Sequence, residues 1–335
     1  MAETLPPLQG KQRFVMFLVC GEALIDLFVA PADGNEMPAR AVAGGSPFNL
    51  VVGLARLGMP AAFLGGLSRD RFGAFLAERL TKEGVDGRFL AISDGPTTIS
   101  AIVTAQDGQP GYSFHGEGAA DRRLVPADLP AVLPPEITAL TFGSYTMAVE
   151  PVASTLAALA EREAGRRVIS VDPNLRPMIV GDMARWAEAA ERFYRVATII
   201  KASEEDIRIA WQGQLSIGEA ASYWLERGAG LVVITEGERG ATAFNAAGQV
   251  SVRGRPVRVV DTVAAGDSFH AALLAQLARA GRLSPAAIAA LDLPALAELL
   301  DYATAAAAVT VTRRGADLPT DAEVQAARAE CPGCQ

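Results

Sequence analysis

The stretch Asp261-Thr262-Val263-Ala264-Ala265-Gly266-Asp267 holds the residues whose types and spacing most directly suggest chemistry. It follows the β-branched pair Val259-Val260 and runs into Phe269–Leu277, which reads as a buried helix. A tight Ala-Ala-Gly turn at a helix start leaves several backbone N–H groups unpaired and unobstructed. With the positive end of the helix dipole, those donors form an anion site suited to phosphate. Asp267 inside such a turn repels phosphate, so it makes a poor ligand. It makes sense as a base beside the phosphate, taking a proton from the attacking group. The competing reading is a plain helix cap, a common use of Asp near an N-terminus.

Other candidates lie where buried strands end, which is where open α/β sheets bind ligands. Phe14–Cys20 is a continuous apolar run followed by Gly21-Glu22-Ala23-Leu24-Ile25-Asp26. Asp26 is placed there to accept from paired hydroxyls, or else is a surface loop aspartate. In Gly44-Gly45-Ser46-Pro47-Phe48-Asn49 the glycines permit close approach of a ligand, Ser46 can N-cap, and Pro47 suits the first helical position. Asn49, one turn in, would face whatever Gly44 and Gly45 approach. Arg176 follows the strand Arg167–Val171 and could bring a cation to a phosphate. Thr235 and Gly237 follow the strand Leu231–Ile234 and could contact a nucleotide. His115 is either a ligand contact or an exposed hairpin residue.

The elements that must position these groups alternate. From Ile137 onward strands and helices follow one another in βαβα order, which predicts a largely parallel sheet with helices on both faces. The helix after Gly45 is expected to stop at Gly58, and Ser68-Arg69-Asp70 to open another that ends at Gly84. Thr97–Thr104 and Gly111–His115 read as a hairpin out of phase with this alternation. With residues 27–43 it would form a small β lid over the site. Ala241–Phe244 and Gln249–Val252 read as an edge hairpin. Pro285–Leu300 and Asp301–Thr312 read as helical, with Ala303–Ala308 as a small-residue surface.

Composition narrows the function class. The 335 residues are 50% hydrophobic and 20% charged, enough for a sizeable core. A net charge of −8 argues against nucleic-acid or anionic-membrane partners and fits a small-molecule enzyme. Three cysteines, Cys20, Cys331 and Cys334, do not make a disulfide framework, and with two histidines there is no metal cluster. The apolar run before Gly21 is too short to span a membrane, so a cytoplasmic location is expected. There is no Walker loop, no dinucleotide fingerprint and no Gly-x-Ser-x-Gly elbow. Residues 14–330 read as one domain with the lid segments 27–43 and 96–118 inserted, and residues 1–13 as a loose arm.

These residues carry a resemblance. Asp261–Asp267 looks like the C-terminal signature of the ribokinase-like (PfkB) carbohydrate kinases. Gly21–Asp26, Gly44–Asn49, Asp172-Pro173-Asn174-Leu175-Arg176-Pro177 and Thr235-Glu236-Gly237 fall in the family's order and spacing. The first three, with Ala120-Asp121, are most similar to its fructokinase branch. The resemblance implies a doubly wound α/β fold with a β lid, using ATP and Mg²⁺ to phosphorylate a sugar hydroxyl. It implies Asp267 as base and the amides of Ala264, Ala265, Gly266 and Asp267 as anion hole. Asp26, Gly44, Gly45, Asn49 and Arg176 would bind the sugar. Asn174, Thr235, Gly237, Gly240 and Thr304 would hold the nucleotide. Asp206 would reach Mg²⁺ through water, and Asp261 with the Val263 carbonyl would bind a monovalent cation such as K⁺.

The sequence departs from the family at three places. Ala264 stands where many relatives have glycine. The family's Asn-x-x-Glu falls on Ser203-Glu204-Glu205-Asp206, one methylene shorter at the acid. Thr304 replaces an asparagine common near the adenine. The expected function is ATP-dependent phosphorylation of fructose to fructose 6-phosphate. The alternatives are a kinase for ribose, 2-keto-3-deoxygluconate or an aminoimidazole riboside, a non-catalytic sugar sensor, and a dehydrogenase. An exposed lid sheet could also pair two copies as a homodimer.

Overall fold

The computed structural model describes residues 15–104 and 110–330. The arm 1–13, the first residue of the expected strand, Phe14, the hairpin turn 106–109, and Cys331 and Cys334 lie outside the described residues.

In chain order the strands are β1 (Met16–Cys20), β2 (Leu24–Val29), β3 (Ala39–Gly44), β4 (Ala61–Ser68), β5 (Asp86–Ser93), β6 (Ile99–Thr104) and β7 (Pro110–His115). They continue with β8 (Ile137–Gly143), β9 (Val168–Asp172), β10 (Ile199–Ser203), β11 (Leu231–Thr235), β12 (Ala241–Asn245) and β13 (Gly248–Val252). The helices of the first half are α1 (Ser46–Arg56), α2 (Arg71–Lys82), α3 (Val152–Glu163), α4 (Pro177–Val180), α5 (Met183–Tyr194) and α6 (Glu204–Ala210). The rest are α7 (Ile217–Leu225), α8 (Ala265–Arg279), α9 (Pro285–Ala289), α10 (Leu293–Val311) and α11 (Asp321–Ala329).

Nine strands form the main sheet in the order β13-β12-β11-β10-β9-β8-β1-β4-β5. All pairings from β11 to β5 are parallel, and β12 and β13 add an antiparallel edge. Phe17, Leu18, Val19 and Cys20 of β1 are all buried, the pattern of a strand covered on both faces. One face packs on α1, α2, α8 and α10 through residues such as Leu54, Leu76, Leu274 and Leu300. The other packs on α3, α5 and α7 through Leu156, Phe193 and Trp224. The largely parallel sheet with helices on both faces, read from the alternation, is the observed one, and it is of the doubly wound α/β class that the resemblance implies. Chain order reverses between β8 and β1, where Leu18 pairs with Leu140. That junction is the topological switch point, where this sheet class opens a crevice at its strand ends.

A second sheet, β3-β2-β6-β7, stands apart from the first. It contains the expected hairpin and the segment around residues 27–43, with β2 running parallel to β6. Asp26 lies within β2, opposite Val42 and Ser100, and not in a loop at the end of β1. Gly21-Glu22-Ala23 is therefore a short link between the two sheets.

Several element bounds differ from the reading of the sequence. Strand β5 and helix α11 were not anticipated, and the alanine-rich segment divides into α9 and a continuous α10 from Leu293. At α1 the N-cap is Gly45 at φ 102°, without a side-chain cap, so Ser46 does not cap and its hydroxyl is released for other use. Gly58 at φ 78° and Gly84 at φ 75° stop α1 and α2 as the sequence suggests.

Candidate active site

Helix α8 starts from Ala264, which sits in the left-handed region at φ 61°. Glycine would hold that conformation without strain, and alanine does so at a cost of about 1 kcal/mol. The amides of Ala264, Gly266 and Asp267 have no acceptor among the described residues, while the Ala265 amide is bonded at 3.3 Å to the Thr262 carbonyl. Three of the four expected donors are thus open for an anion.

Asp267 occupies the first turn of α8 and does not cap it. Its Oδ1 accepts from the Ser46 hydroxyl at 2.6 Å and its Oδ2 from the Asn49 amide at 2.9 Å, both on α1. The released Ser46 hydroxyl and the Asn49 side chain thus converge on one carboxylate across more than two hundred residues of chain. Burial pushes the Asp267 carboxyl above its ordinary pKa, while Ser46, Asn49 and the Lys201 ammonium favour the charged form.

These groups lie in a cavity of about 630 Å³ at the switch point. Glu22 after β1 and Ser144 and Tyr145 after β8 form one part of its wall, and Ala264–Asp267 another. The second sheet contributes Asp26, Ser100, Ile102 and Phe114. Asp26 is pushed up to about 6, chiefly by burial and against the pull of Ser100, with Asp267 adding repulsion and Arg176 relieving it. Gly44 is not itself on the cavity wall. A Cβ there would fall 2.1 Å from Asp26 Oδ2, so its missing side chain makes room for that carboxylate. Gly45, at φ 102°, does line the cavity.

Asn174 and Arg176 line the same cavity from the loop after β9. Asn174 takes φ 38°, and the exposed Arg176 donates to the Leu175 carbonyl. Asp206 lines the cavity but spends both oxygens on protein donors. Its Oδ2 accepts from the Ser203 amide and hydroxyl, and its Oδ1 from the Leu175 amide at 2.7 Å. The shorter acid closes a capping box on α6 and braces the loop carrying Arg176, and its neighbour Glu205 is the exposed carboxylate on this wall. Among the described residues no cluster of His, Cys, Asp and Glu is built to hold a metal ion on its own.

Asp261 lies just outside, with Oδ1 and Oδ2 accepting from the Val263 and Gly315 amides, while Val263 lines the cavity. Thr235, Gly237 and Gly240 do not line it. They gather at the end of β11 and its turn, where Thr235 bonds the Ala202 carbonyl. Gly240 has a packing reason of its own: at φ 105°, a Cβ would meet the Val252 carbonyl oxygen at 2.0 Å. Thr304 is buried on α10, and its hydroxyl has no partner among the described residues. His115 is exposed and does not reach the cavity.

Polar residues on the cavity wall that were not assigned from sequence include Glu22, Tyr145 and Lys201. Glu22 is fully buried, and burial pushes it up to about 8, which favours its protonated, donating form at neutral pH. Tyr145 donates to Asp121, which also accepts from Thr98 at 2.6 Å. Lys201 of β10 forms a buried ion pair with Asp172 at 2.8 Å. Breaking such a pair from one side costs about 3–5 kcal/mol.

The description "pfkB family carbohydrate kinase" matches residues 16–323. The chain belongs to this family. The kinase is 41% identical over 282 residues to a fructokinase of Rhizobium leguminosarum bv. trifolii, covering 84% of this chain and 85% of that protein. It superposes on a Xylella fastidiosa fructokinase with bound ATP at a TM-score of 0.85, with 26% identity, 95% of this chain and 99% of that one covered. A Vibrio cholerae O395 fructokinase in a fructose, ADP and calcium ion bound form gives 0.78, with 27% identity and 94% and 99% covered.

The Ser46 contact yields a prediction. Ser46→Ala removes a donor that favours the charged Asp267, so the acid limb of the pH profile of kcat/KM moves to higher pH. Turnover at neutral pH falls about tenfold, the lower range for a hydrogen bond to a charged group. Initial rates from pH 5 to 9 check this, and an unshifted profile would remove Ser46 from the account.

Proposed function

We propose that this kinase transfers the γ-phosphoryl group of ATP to fructose, giving fructose 6-phosphate. The observation that carries the reading is Asp267, held by Ser46 and Asn49 on the floor of the cavity beside three unengaged amides. That pairing of a base with an anion site suits phosphoryl transfer to a hydroxyl. The fructokinases among the similar proteins favour fructose as the acceptor.

In this reading Asp26, Gly45, Asn49 and Arg176 orient the sugar, with Gly44 making space for Asp26. Glu22, neutral and buried, donates to a sugar oxygen. Asp267 takes the proton of the attacking hydroxyl as its oxygen bonds to phosphorus and the bond to the departing ADP breaks. The amides of Ala264, Gly266 and Asp267 hold the charge that builds on the phosphoryl oxygens. ATP supplies the phosphoryl group, and Mg²⁺ neutralises its phosphates. The open amides fit those phosphates, and the unpartnered Thr304 hydroxyl fits a hydrogen bond to the bound nucleotide. Asn174 would approach the phosphates from the cavity, and Thr235 and Gly237 the nucleotide from the end of β11. With Asp206 engaged by protein donors, Mg²⁺ would be held mainly by phosphate oxygens and water, with Glu205 on the adjoining wall. Asp261 and the Val263 carbonyl would take K⁺ beside the anion hole. Segments 27–43 and 96–118 act as the lid, and the lid is where two copies would pair. Among the described residues no helix is long and apolar enough to cross a membrane, and the protein is read as cytoplasmic.

Asp267→Asn should leave sugar binding nearly intact and lower kcat by about 10²–10⁴-fold, the usual worth of a positioned base. ADP release from ATP and Mg²⁺ checks this over fructose, ribose, 2-keto-3-deoxygluconate and an aminoimidazole riboside, with and without K⁺. Turnover mainly with another acceptor would move the assignment to that sugar, and near-normal turnover by the variant would remove Asp267 as base.

Asp26 carries a pH prediction. A carboxyl group accepts from sugar hydroxyls through both oxygens only when charged, so affinity is full well above pH 6 and weakens as pH falls through about 6. Asp26→Asn should raise the sugar KM and flatten this dependence. A KM for the wild type that stays level from pH 7.5 to 5 would contradict it.

A further inference from the structure

We propose that Lys201 is a catalytic cation of this kinase, contacting the phosphoryl group in transit between ATP and the sugar. The proposal deepens the phosphotransferase reading and rests on it.

Lys201 is the central residue of β10, and its ammonium lies under the first turn of α8. A Cβ on Gly266 would fall 3.0 Å from Nζ, and among the described residues no other atom lies within 4 Å of that position outside the chain neighbours and the helix backbone. The missing side chain of Gly266 therefore separates the open amides from a cation. Lys201 is on the cavity wall together with Ala264–Asp267, yet it is only 4% exposed.

Its hydrogen bonding is incomplete. An ammonium has three N–H donors, and the acceptor found for Nζ among the described residues is Asp172 Oδ2 at 2.8 Å. Behind that pair, Asp172 Oδ2 is 3.8 Å from His270 Nδ1, and His270 Nε2 meets the Ser170 hydroxyl at 2.7 Å. Burial and the neighbouring Lys201 push His270 down to about 3, so it remains neutral and adds no positive charge. Burial pulls the Lys201 ammonium down, but Asp172, with Asp206 and Asp267, outweighs it and raises the group above its ordinary pKa.

A buried ion pair is a poor source of stability, and an apolar pair of similar volume often serves as well. What it provides here is a fixed positive charge, with donors to spare, next to three open amides. The carboxylates Asp172, Asp206 and Asp267 all act on its charge, so without Lys201 the exposed Arg176 would be the one cation among the described residues of the cavity wall. In the transfer the sugar oxygen bonds to phosphorus, ADP leaves with the electron pair, and the proton goes to Asp267. Lys201 moves no proton and acts on the developing charge.

The test is Lys201→Met, with the double variant K201M/D172L to keep a folded protein if the single change leaves Asp172 buried and unpaired. With the sugar that the wild type turns over, both variants should lose at least about 100-fold in kcat while the sugar KM stays within about threefold. Lys201→Ala should regain at least about tenfold of its lost kcat in added ethylammonium, which a merely structural lysine would not allow. ADP affinity with and without tetrafluoroaluminate reads the phosphoryl site whichever sugar is used. The wild type should tighten with that mimic and the variants should not. A folded double variant with kcat within tenfold of wild type, or with undiminished tightening, would overturn the proposal. A wild type that ignores every sugar but shows the lysine-dependent tightening would overturn the acceptor assignment and leave Lys201 in place.

Discussion

The arrangement depends on one carboxylate, Asp267, held between two helices that are remote in the chain. Ser46 and Asn49 come from α1 and Asp267 from α8, and their two hydrogen bonds fix where the helices meet. A buried carboxylate is expensive unless its lone pairs are met. Two neutral donors meet them without adding a formal charge, so the group remains basic. The same turn of α8 that carries Asp267 leaves amides open, so base and anion site are set by one piece of backbone. The strained Ala264 begins that piece and gives it the required direction.

Around this centre the fold places charges in two different environments. On the side of the small sheet, buried Glu22 and half-buried Asp26 have little cationic help and sit above their ordinary pKa values. They suit a neutral polyhydroxyl ligand, which can both donate and accept. On the helix side, Lys201 and the open amides suit an anion. The cavity at the switch point spans both environments, so the two chemistries meet at Asp267. The small sheet is essential to the first, because Asp26 belongs to its strand β2 and Gly44 to the neighbouring β3.

Much of this was legible in the sequence, and the failures have physical causes. The alternation after Ile137 and the apolar run before Gly21 were enough to read a largely parallel sheet with helices on both faces, because strands buried on both faces admit few polar residues. Asp267 stood out because an acid in an amide-rich turn is electrostatically wrong unless it has work to do. Asp26 was placed at the end of β1, since only three residues separate that strand from β2 and the change of sheet leaves no local mark. Ser46 looked like a cap because its neighbours, glycine before and proline after, are those of a helix start. Its actual partner lies 221 positions away, and no local pattern reports that. Asp206 satisfies the spacing of a metal-arranging acid, yet in three dimensions its oxygens close a capping box and brace Leu175. Lys201 did leave a signal, a charge within a largely apolar and buried strand, but it lay outside the motifs that drew attention.

The central claim is that a sugar hydroxyl meets Asp267 while the transferring phosphate meets the N-terminus of α8. A crystal structure with fructose and a non-hydrolysable ATP analogue tests it most directly. The account predicts the fructose 6-hydroxyl within hydrogen-bond reach of an Asp267 oxygen, about 2.6–3.2 Å, and the terminal phosphate against the amides of Ala264, Gly266 and Asp267. A sugar bound with no hydroxyl near Asp267, or a phosphate seated away from that turn, would contradict it.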